Sequence, residues 1–131
     1  MNRRVAITGL GLITSHGSSP RDAFDAWCAG RSGIALHSIG EAPYTVTVPQ
    51  AMCTEFDAAA ALGRGRLATM DRTSQLSTFA ARSAWTDAGL DDADDSARDT
   101  ACVFWGTGAG GANTTERSYR DLFIQQRSRI S

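Results

Sequence analysis

A short apolar run that ends in a glycine-rich turn is the strongest constraint on this 131-residue chain. Residues 101–105 read Ala-Cys-Val-Phe-Trp, and residues 106–111 read Gly-Thr-Gly-Ala-Gly-Gly. A continuous apolar run of this length is typical of a strand that is buried on both faces of a sheet. Glycines permit positive φ and let a ligand or another chain approach the backbone. The pattern therefore predicts a buried strand and a functional turn in an α/β fold.

The chain opens on a related pattern. Residues 3–7 read Arg-Arg-Val-Ala-Ile, are β-branched in character and predict a first strand, which Gly9 and Gly11 follow. Further along, residues 44–48 alternate like a strand that Pro49 stops or confines to the edge of a sheet.

Composition excludes several classes of protein. Hydrophobic residues make up 42% of the chain and charged residues 21%, which is ordinary for a globular domain. Thirteen basic and fourteen acidic residues give a net charge of −1, so no nucleic-acid or membrane-binding surface is predicted. No apolar stretch resembles a signal peptide or a membrane span, which predicts a cytoplasmic location. Three cysteines without ligand spacing indicate neither a disulfide framework nor a zinc site. No metal site and no cofactor are expected.

Helix signals are clearest in two places. Ser19 is a capping residue, Pro20 suits the first helical position, and Gly30 is a typical stop. Residues 69–88 form the strongest helical pattern, with Gly89 as its stop. Small side chains on this second helix predict close packing against another element; they are Ala80, Ala81 and Ala84.

Two shorter helices are also predicted. The alanine-rich residues 56–62 indicate a short helix that ends at Gly63. A last helix is expected from about Thr114, with Asn113 or Thr114 as its cap.

The residues taken alone name no reaction. Gly106, Gly108 and Gly111 match the spacing GxGxxG, which in a complete dinucleotide-binding unit holds phosphate at a helix N-terminus. Such a unit needs a second strand that ends in an acidic residue, and residues 125–131 are polar instead. None of the three cysteines combines a helix N-terminus with a nearby histidine, as a nucleophilic thiol requires.

Several segments, in order along the whole chain, resemble the β-ketoacyl-acyl-carrier-protein synthases. They are Arg-Arg-Val-Ala-Ile-Thr-Gly-Leu-Gly (3–11), Trp-Cys-Ala-Gly-Arg-Ser-Gly-Ile (27–34), Met-Asp-Arg (70–72) leading to Ala-Trp-Thr-Asp-Ala-Gly-Leu (84–90), the glycine turn (106–111) and Arg-Ser-Arg-Ile-Ser (127–131).

The resemblance implies a thiolase-like α/β fold of layered sheets and helices, of which residues 1–131 are part of the N-terminal half. It implies a decarboxylating Claisen condensation, whose catalytic cysteine and two histidines lie beyond Ser131. A noncatalytic chain-length-factor subunit is an alternative within the family, and a nucleotide-binding α/β module is an alternative of another class. Residues 1–131 alone are expected to be an inactive fragment that does not form a well-behaved monomer.

The resemblance also implies sites and partners. Gly108 and Ala109 match the part of the glycine turn that reaches the acyl-chain pocket near the dimer interface. The methyl group of Ala109 replaces a bulkier aliphatic residue of several saturated-chain synthases, which predicts room for a longer or stiffer chain. Acyl carrier protein is acidic, and basic residues near two expected docking regions are Arg64, Arg66, Arg127 and Arg129. A homodimer or a heterodimer with a chain-length factor is implied.

Overall fold

The computed structural model describes residues 4–128, except for the side chain of Ala97. Its helices are Pro20–Cys28 (α1), Ala58–Leu62 (α2), Arg64–Leu67 (α3), Arg72–Asp87 (α4), Asp95–Thr100 (α5) and Ala112–Tyr119 (α6), and a π-helix covers Arg120–Ile124. Its strands are Ala35–Ile39 (β1) and Val46–Gln50 (β2). Residues 4–57 and 79–91 belong to one compact unit, and residues 58–78 and 92–128 belong to a second.

Helix α1 forms as its local signals predict. The Ser19 hydroxyl accepts the backbone N–H of Asp22 at 3.2 Å, and Pro20 occupies the first helical position. At the other end, Gly30 has a φ of +65°, and the N–H of Arg31 donates to the carbonyl of Ala26 at 2.9 Å. This bond and the left-handed glycine form a Schellman motif, which satisfies carbonyls that the end of a helix leaves unpaired.

Each unit has only a small core among the described residues. Ala23 and Ala26 of α1 are buried in the first unit, and Ala58 and Leu62 of α2 are buried in the second. The large aromatic side chains of α1, Phe24 and Trp27, are exposed instead. Alanine buries little area, so these cores supply little of the apolar burial that stabilises a domain of this length.

Strands β1 and β2 form an antiparallel pair. Ala35 lies opposite Gln50, and Ile39 lies opposite Val46. The strand continues through Pro49, which lies opposite Leu36, so the edge position predicted for this proline is confirmed. Strand β1 carries no strong sequence pattern and was not predicted.

Helix α4 packs closely against the glycines near the start of the chain. A Cβ added to Gly11 would collide with the carbonyl oxygen of Ala80, and one added to Gly9 would lie 2.6 Å from the backbone nitrogen of Ala88. The close approach predicted for the small residues of this helix is therefore confirmed at Ala80 and Ala84. Ala81 is exposed and lies outside this contact.

The two strands predicted directly before the chain's glycine-rich segments, at residues 3–7 and 101–105, do not form in the described part of the chain, which begins at residue 4. Residues 4–8 and 101–105 pair with no strand among the described residues, and their side chains are exposed, with Val5 at 93% and Phe104 at 94%. A strand of a parallel sheet depends on neighbouring strands for its hydrogen bonds, and residues 4–128 supply no such neighbour. The predictions of a first strand and of a buried strand at 101–105 are therefore wrong for this structure.

The C-terminal region also differs in detail. Helix α6 begins at Ala112, and Gly111 with φ 78° is its N-cap residue, so neither Asn113 nor Thr114 caps it. The helix continues into the π-helix, where the rings of Tyr119 and Phe123 stack with centroids 5.6 Å apart. Helix α2 ends at Gly63 as predicted.

The described residues thus combine helices with a two-stranded sheet, and the layered arrangement of the fold remains a prediction. None of the helices in this part of the chain is both long enough and apolar enough to cross a membrane.

Candidate functional site

The glycine turn is an exposed loop of the second unit that leads into α6. A Cβ added to Gly106 or Gly108 would meet no atom within 4 Å, so open space surrounds both positions. Ala109 and Gly111 line a concavity of about 120 Å³ together with the residues that begin α4. A pocket for a drug-sized ligand usually measures about 300–1,000 Å³, so this concavity is at most one end of such a site.

Asp71 is one of the residues that line this concavity. Its Oδ1 accepts the backbone N–H of Ser74 at 2.7 Å, and its carbonyl oxygen accepts the N–H of Gln75 at 2.9 Å. These bonds make Asp71 the N-terminal cap of α4. A Cβ added to Gly111 would lie 3.0 Å from Asp71 Oδ2, so the second carboxylate oxygen faces the start of α6.

The environment of Asp71 favours its ionised form. Hydrogen bonds from the backbone N–H of Ser74 and then from its hydroxyl hold the pKa of the carboxyl below its usual value of 3.8. Desolvation opposes this effect, and the backbone of Thr73 adds to it. A carboxylate that accepts several N–H or O–H bonds is stabilised in its charged form, so Asp71 is an anion at neutral pH.

Asp71 also lines a second concavity, of about 320 Å³. Trp105, Thr107 and Gly110 contribute to its lining. The remaining lining residues carry hydroxyl groups in the first half of α4, and these are Thr73, Ser74, Ser77 and Thr78. The glycine turn is thus flanked by two concavities that share Asp71.

The residues predicted for the acyl pocket lie in this turn. Ala109 lines the smaller concavity, whereas Gly108 is exposed and lines neither of the two. Asp71 was not singled out from the sequence except as part of the Met-Asp-Arg segment. Its position three residues before Ser74, at the start of the strongest helical pattern, is the N-cap signal that would have identified it.

The predicted basic residues lie on two separate elements. Arg64 and Arg66 are exposed on α3, and no carboxylate within residues 4–128 pairs with either. Arg127 follows the π-helix, and its guanidinium lies 3.7 Å from the carboxylate of Asp121. That ion pair offsets the charge of Arg127. Arg129 lies outside the described residues.

The cysteines form no catalytic arrangement in the described part of the chain. Cys28 and Cys102 are exposed and Cys53 is half-buried, and none of the three forms a disulfide within residues 4–128. The exposure of Cys102 differs from the buried strand position predicted for it. Residues 4–128 contain no cluster of three histidine, cysteine, aspartate or glutamate side chains that is able to hold a metal ion.

Comparison with known proteins identifies the family. The sequence profile of the family described as "Beta-ketoacyl synthase, N-terminal domain" matches residues 2–130. The chain belongs to the β-ketoacyl synthase family and corresponds to its N-terminal domain, which confirms the resemblance seen in the sequence. No solved structure matches the chain significantly.

Several curated relatives match over nearly the whole chain. It is 32% identical to a 3-oxoacyl-[acyl-carrier-protein] synthase 2 of Coxiella burnetii over 98% of its residues, and 31% identical to one of Staphylococcus aureus strain N315 over 99%. It is 35% identical to nodulation protein E of a Rhizobium species over 95%. The chain spans only about 31% of the length of the two synthases and 30% of nodulation protein E.

Proposed function

We propose that this chain is the N-terminal part of a β-ketoacyl-acyl-carrier-protein synthase that works in fatty acid or type II polyketide or polyene synthesis. The observation that carries the proposal is the family match over residues 2–130, to which the Ala109 concavity adds a candidate substrate contact. The relatives named as 3-oxoacyl-[acyl-carrier-protein] synthases support the same reaction class.

The proposed reaction is a decarboxylating condensation. An acyl group is held as a thioester on a cysteine, and malonyl-carrier protein loses CO₂ to give an enolate. The enolate carbon attacks the thioester carbonyl, so a C–C bond forms, the C–S bond breaks and the cysteine leaves as a thiolate. The cysteine and the two assisting histidines belong to a part of the enzyme that residues 1–131 do not include.

We propose that this part of the enzyme forms the wall that limits the length of the acyl group in the pocket. Ala109 lies in an exposed turn beside a concavity of about 120 Å³, and its methyl group leaves that space open. The remaining walls of the pocket would come from the rest of the enzyme. A small residue here favours a long or stiff acyl chain, whereas a bulky one would fill the end of the pocket. Gly108 would allow the substrate to approach the backbone.

The same proposal gives the exposed apolar segments a role. Val5, Val103 and Phe104 present side chains that a soluble protein rarely leaves uncovered in contiguous runs. Burying each would contribute about 1.5–3 kcal/mol. We propose that both segments are covered by the rest of a layered thiolase-like fold in the complete enzyme, which would be a cytoplasmic homodimer or a heterodimer with a chain-length factor.

Acyl carrier protein is the proposed macromolecular partner. Arg64 and Arg66 are exposed neighbours on one short helix, and their unpaired charges suit an acidic partner. Arg127 would contribute less, since its ion pair with Asp121 offsets its charge.

Binding of a nucleotide phosphate by the GxGxxG segment has less support. The carboxylate of Asp71 faces Gly111 at the start of α6, where a phosphate would have to bind. The lowered pKa of Asp71 keeps that carboxylate charged at neutral pH, and two anions at such a site repel one another.

The test is a condensation assay on the intact enzyme, with acyl- and malonyl-carrier protein as substrates and the β-ketoacyl product measured by mass spectrometry. Product formation and acyl labelling of one cysteine support the synthase. Labelling without a product, with or without a second subunit, would contradict the synthase. If a product forms only after a second subunit is added and that subunit alone carries the acyl label, this protein is the chain-length factor instead. Nucleotide binding in place of any acyl transfer would overturn the proposal.

A further inference from the structure

We propose that Asp71 positions the glycine turn at residues 106–111 and thereby sets the acyl-chain selectivity assigned to Ala109. The effect on selectivity rests on the proposed function. The positioning itself rests on contacts within the second unit. Asp71 touches no reacting atom in this account, so it is a positioning residue and not a catalytic one.

The two carboxylate oxygens of Asp71 have separate tasks. Oδ1 accepts the backbone N–H of Ser74 at 2.7 Å, which fixes the carboxylate at the first turn of the 16-residue helix α4. Oδ2 faces Gly111, since a Cβ added to this glycine would lie only 3.0 Å from the oxygen. One side chain thus joins the start of α4 to the start of α6.

The turn is otherwise largely open, apart from a 3.3 Å hydrogen bond from the backbone N–H of Ala112 to the carbonyl of Ala109. The space around Gly106 and Gly108 is open, and the nearest atoms to a Cβ at Gly110 belong to Thr107 in the same turn. Residues 101–110 are all exposed. Asp71 and Thr73 both line the two flanking concavities, but it is Asp71 whose Oδ2 lies within 4 Å of a Cβ placed on Gly111, so Asp71 is the side chain best placed to hold the end of the turn.

Charge and backbone geometry reinforce this contact. Helix α6 begins immediately after Gly111, and the N-terminal end of a helix carries partial positive charge that attracts a carboxylate. Gly111 has φ 78° and ψ 5°, a left-handed conformation that directs the chain from the turn into α6. A carboxylate held against this residue therefore restricts the path of the chain on both sides of it, including Ala109.

Three substitutions in the intact enzyme distinguish the proposed role of Asp71 in positioning the glycine turn from its role as the N-cap of α4. Asp71→Ser keeps an N-cap oxygen for α4 but has no second oxygen to face Gly111. Asp71→Asn has the same shape as Asp71 and also caps a helix well. Ser19→Ala removes a cap from α1, in the other unit, and serves as the matched control for a lost cap.

The first readout is the ratio of kcat/KM values for a long and a short acyl-carrier primer. A displaced turn should change this ratio about tenfold in D71S, since small misplacements of substrate-contacting groups have effects of this size or larger. D71N should keep the ratio within about twofold of wild type, and S19A should leave it unchanged. A wild-type ratio in D71S, or an equal change in S19A, would overturn the proposal.

The second readout does not depend on activity. The backbone amides of Ala112 and Thr115 donate to the carbonyls of Ala109 and Gly111, and their hydrogen exchange should be about tenfold faster in D71S than in wild type or S19A, because the start of α6 opens more often. Unchanged exchange in D71S would overturn the positioning role. Faster exchange in an enzyme that performs no condensation would leave the positioning role intact and refute the proposed function.

Discussion

The backbone N–H of Leu10 donates a 2.8 Å hydrogen bond to the carboxylate of Asp87, although the two residues are 77 positions apart. Asp87 is the last residue of α4, where the negative end of the helix dipole disfavours a carboxylate. Its hydrogen bond to Leu10 offsets that cost. Together with the close approach of Gly9 and Gly11, this bond attaches the start of the chain to α4.

Replacing Asp87 with Ala should destabilise the intact enzyme by about 1 kcal/mol, the usual net contribution of one hydrogen bond. Asp87→Asn should cost less, because the amide carbonyl still accepts the Leu10 N–H and the unfavourable charge is removed. Urea denaturation monitored by circular dichroism measures the free energy of unfolding of both variants. Asp92→Ala, at an exposed acidic position, is the control and should stay within about 0.5 kcal/mol of wild type. Equal stabilities for D87A and D92A would show that the bond contributes nothing.

Adding a methyl group at Gly11 should destabilise the enzyme because it collides with the backbone of α4 at Ala80. Gly11→Ala is expected to cost about 1–3 kcal/mol, as for other overpacked sites. Gly65→Ala is the matched control, since open space surrounds Gly65 within α3 and alanine favours a helix by about 0.5–1 kcal/mol. The two variants should therefore shift the denaturation midpoint in opposite directions. A shift in the same direction would contradict the packing described for Gly11.

The ionisation of Asp71 should make the start of α4 sensitive to acid. Its folded-state pKa lies below 3.8, mainly because the Ser74 backbone N–H bonds the ionised form. Its contribution to stability is therefore complete above the unfolded-state pKa and is lost as the pH falls through the lower folded-state value. Stability measured from about pH 6 down to about pH 2 should fall more steeply in wild type than in D71N, which has no charge to lose. Parallel curves would contradict this role of the Asp71 charge.

Neutralising Arg64 and Arg66 should weaken binding of acyl carrier protein. R64Q/R66Q is expected to reduce affinity about tenfold at low ionic strength, with the difference shrinking as salt screens the charges. R127Q should have a smaller effect, since Arg127 already pairs with Asp121. Surface plasmon resonance at two salt concentrations measures both variants. An effect confined to R127Q would place the docking surface elsewhere.

Local signals in the sequence predicted the helix boundaries well. Ser19 caps α1, and three glycines adopt positive φ after the helices they were predicted to end, namely Gly30, Gly63 and Gly89. Such signals succeed because a cap depends on hydrogen bonds within a few residues of itself. The small residues of α4 also predicted close packing, although its partner, Gly9 and Gly11, could not be identified from spacing alone.

Predictions of strands were less successful, because a strand depends on pairing with distant parts of the chain. The apolar run at residues 101–105 has the composition of a buried strand, but a strand exists only where another strand supplies its hydrogen bonds. Strand β1 was missed for the converse reason, because its pairing with β2 and not its own composition defines it. In the candidate site, Ala109 was predicted from family resemblance, whereas the contact of Asp71 with Gly111 joins positions 40 residues apart and has no local signal.

In the function proposed above, Ala109 limits the length of the acyl chain in a β-ketoacyl-acyl-carrier-protein synthase. The most direct test compares the product lengths of the intact wild-type enzyme, A109I and A60I by mass spectrometry of the carrier-bound acyl chains. Ala60 is exposed on α2 and does not line the concavity beside Ala109, so A60I controls for added bulk. A109I should give products shorter by at least one condensation cycle, and A60I should match wild type. Products of wild-type length from A109I would contradict the claim.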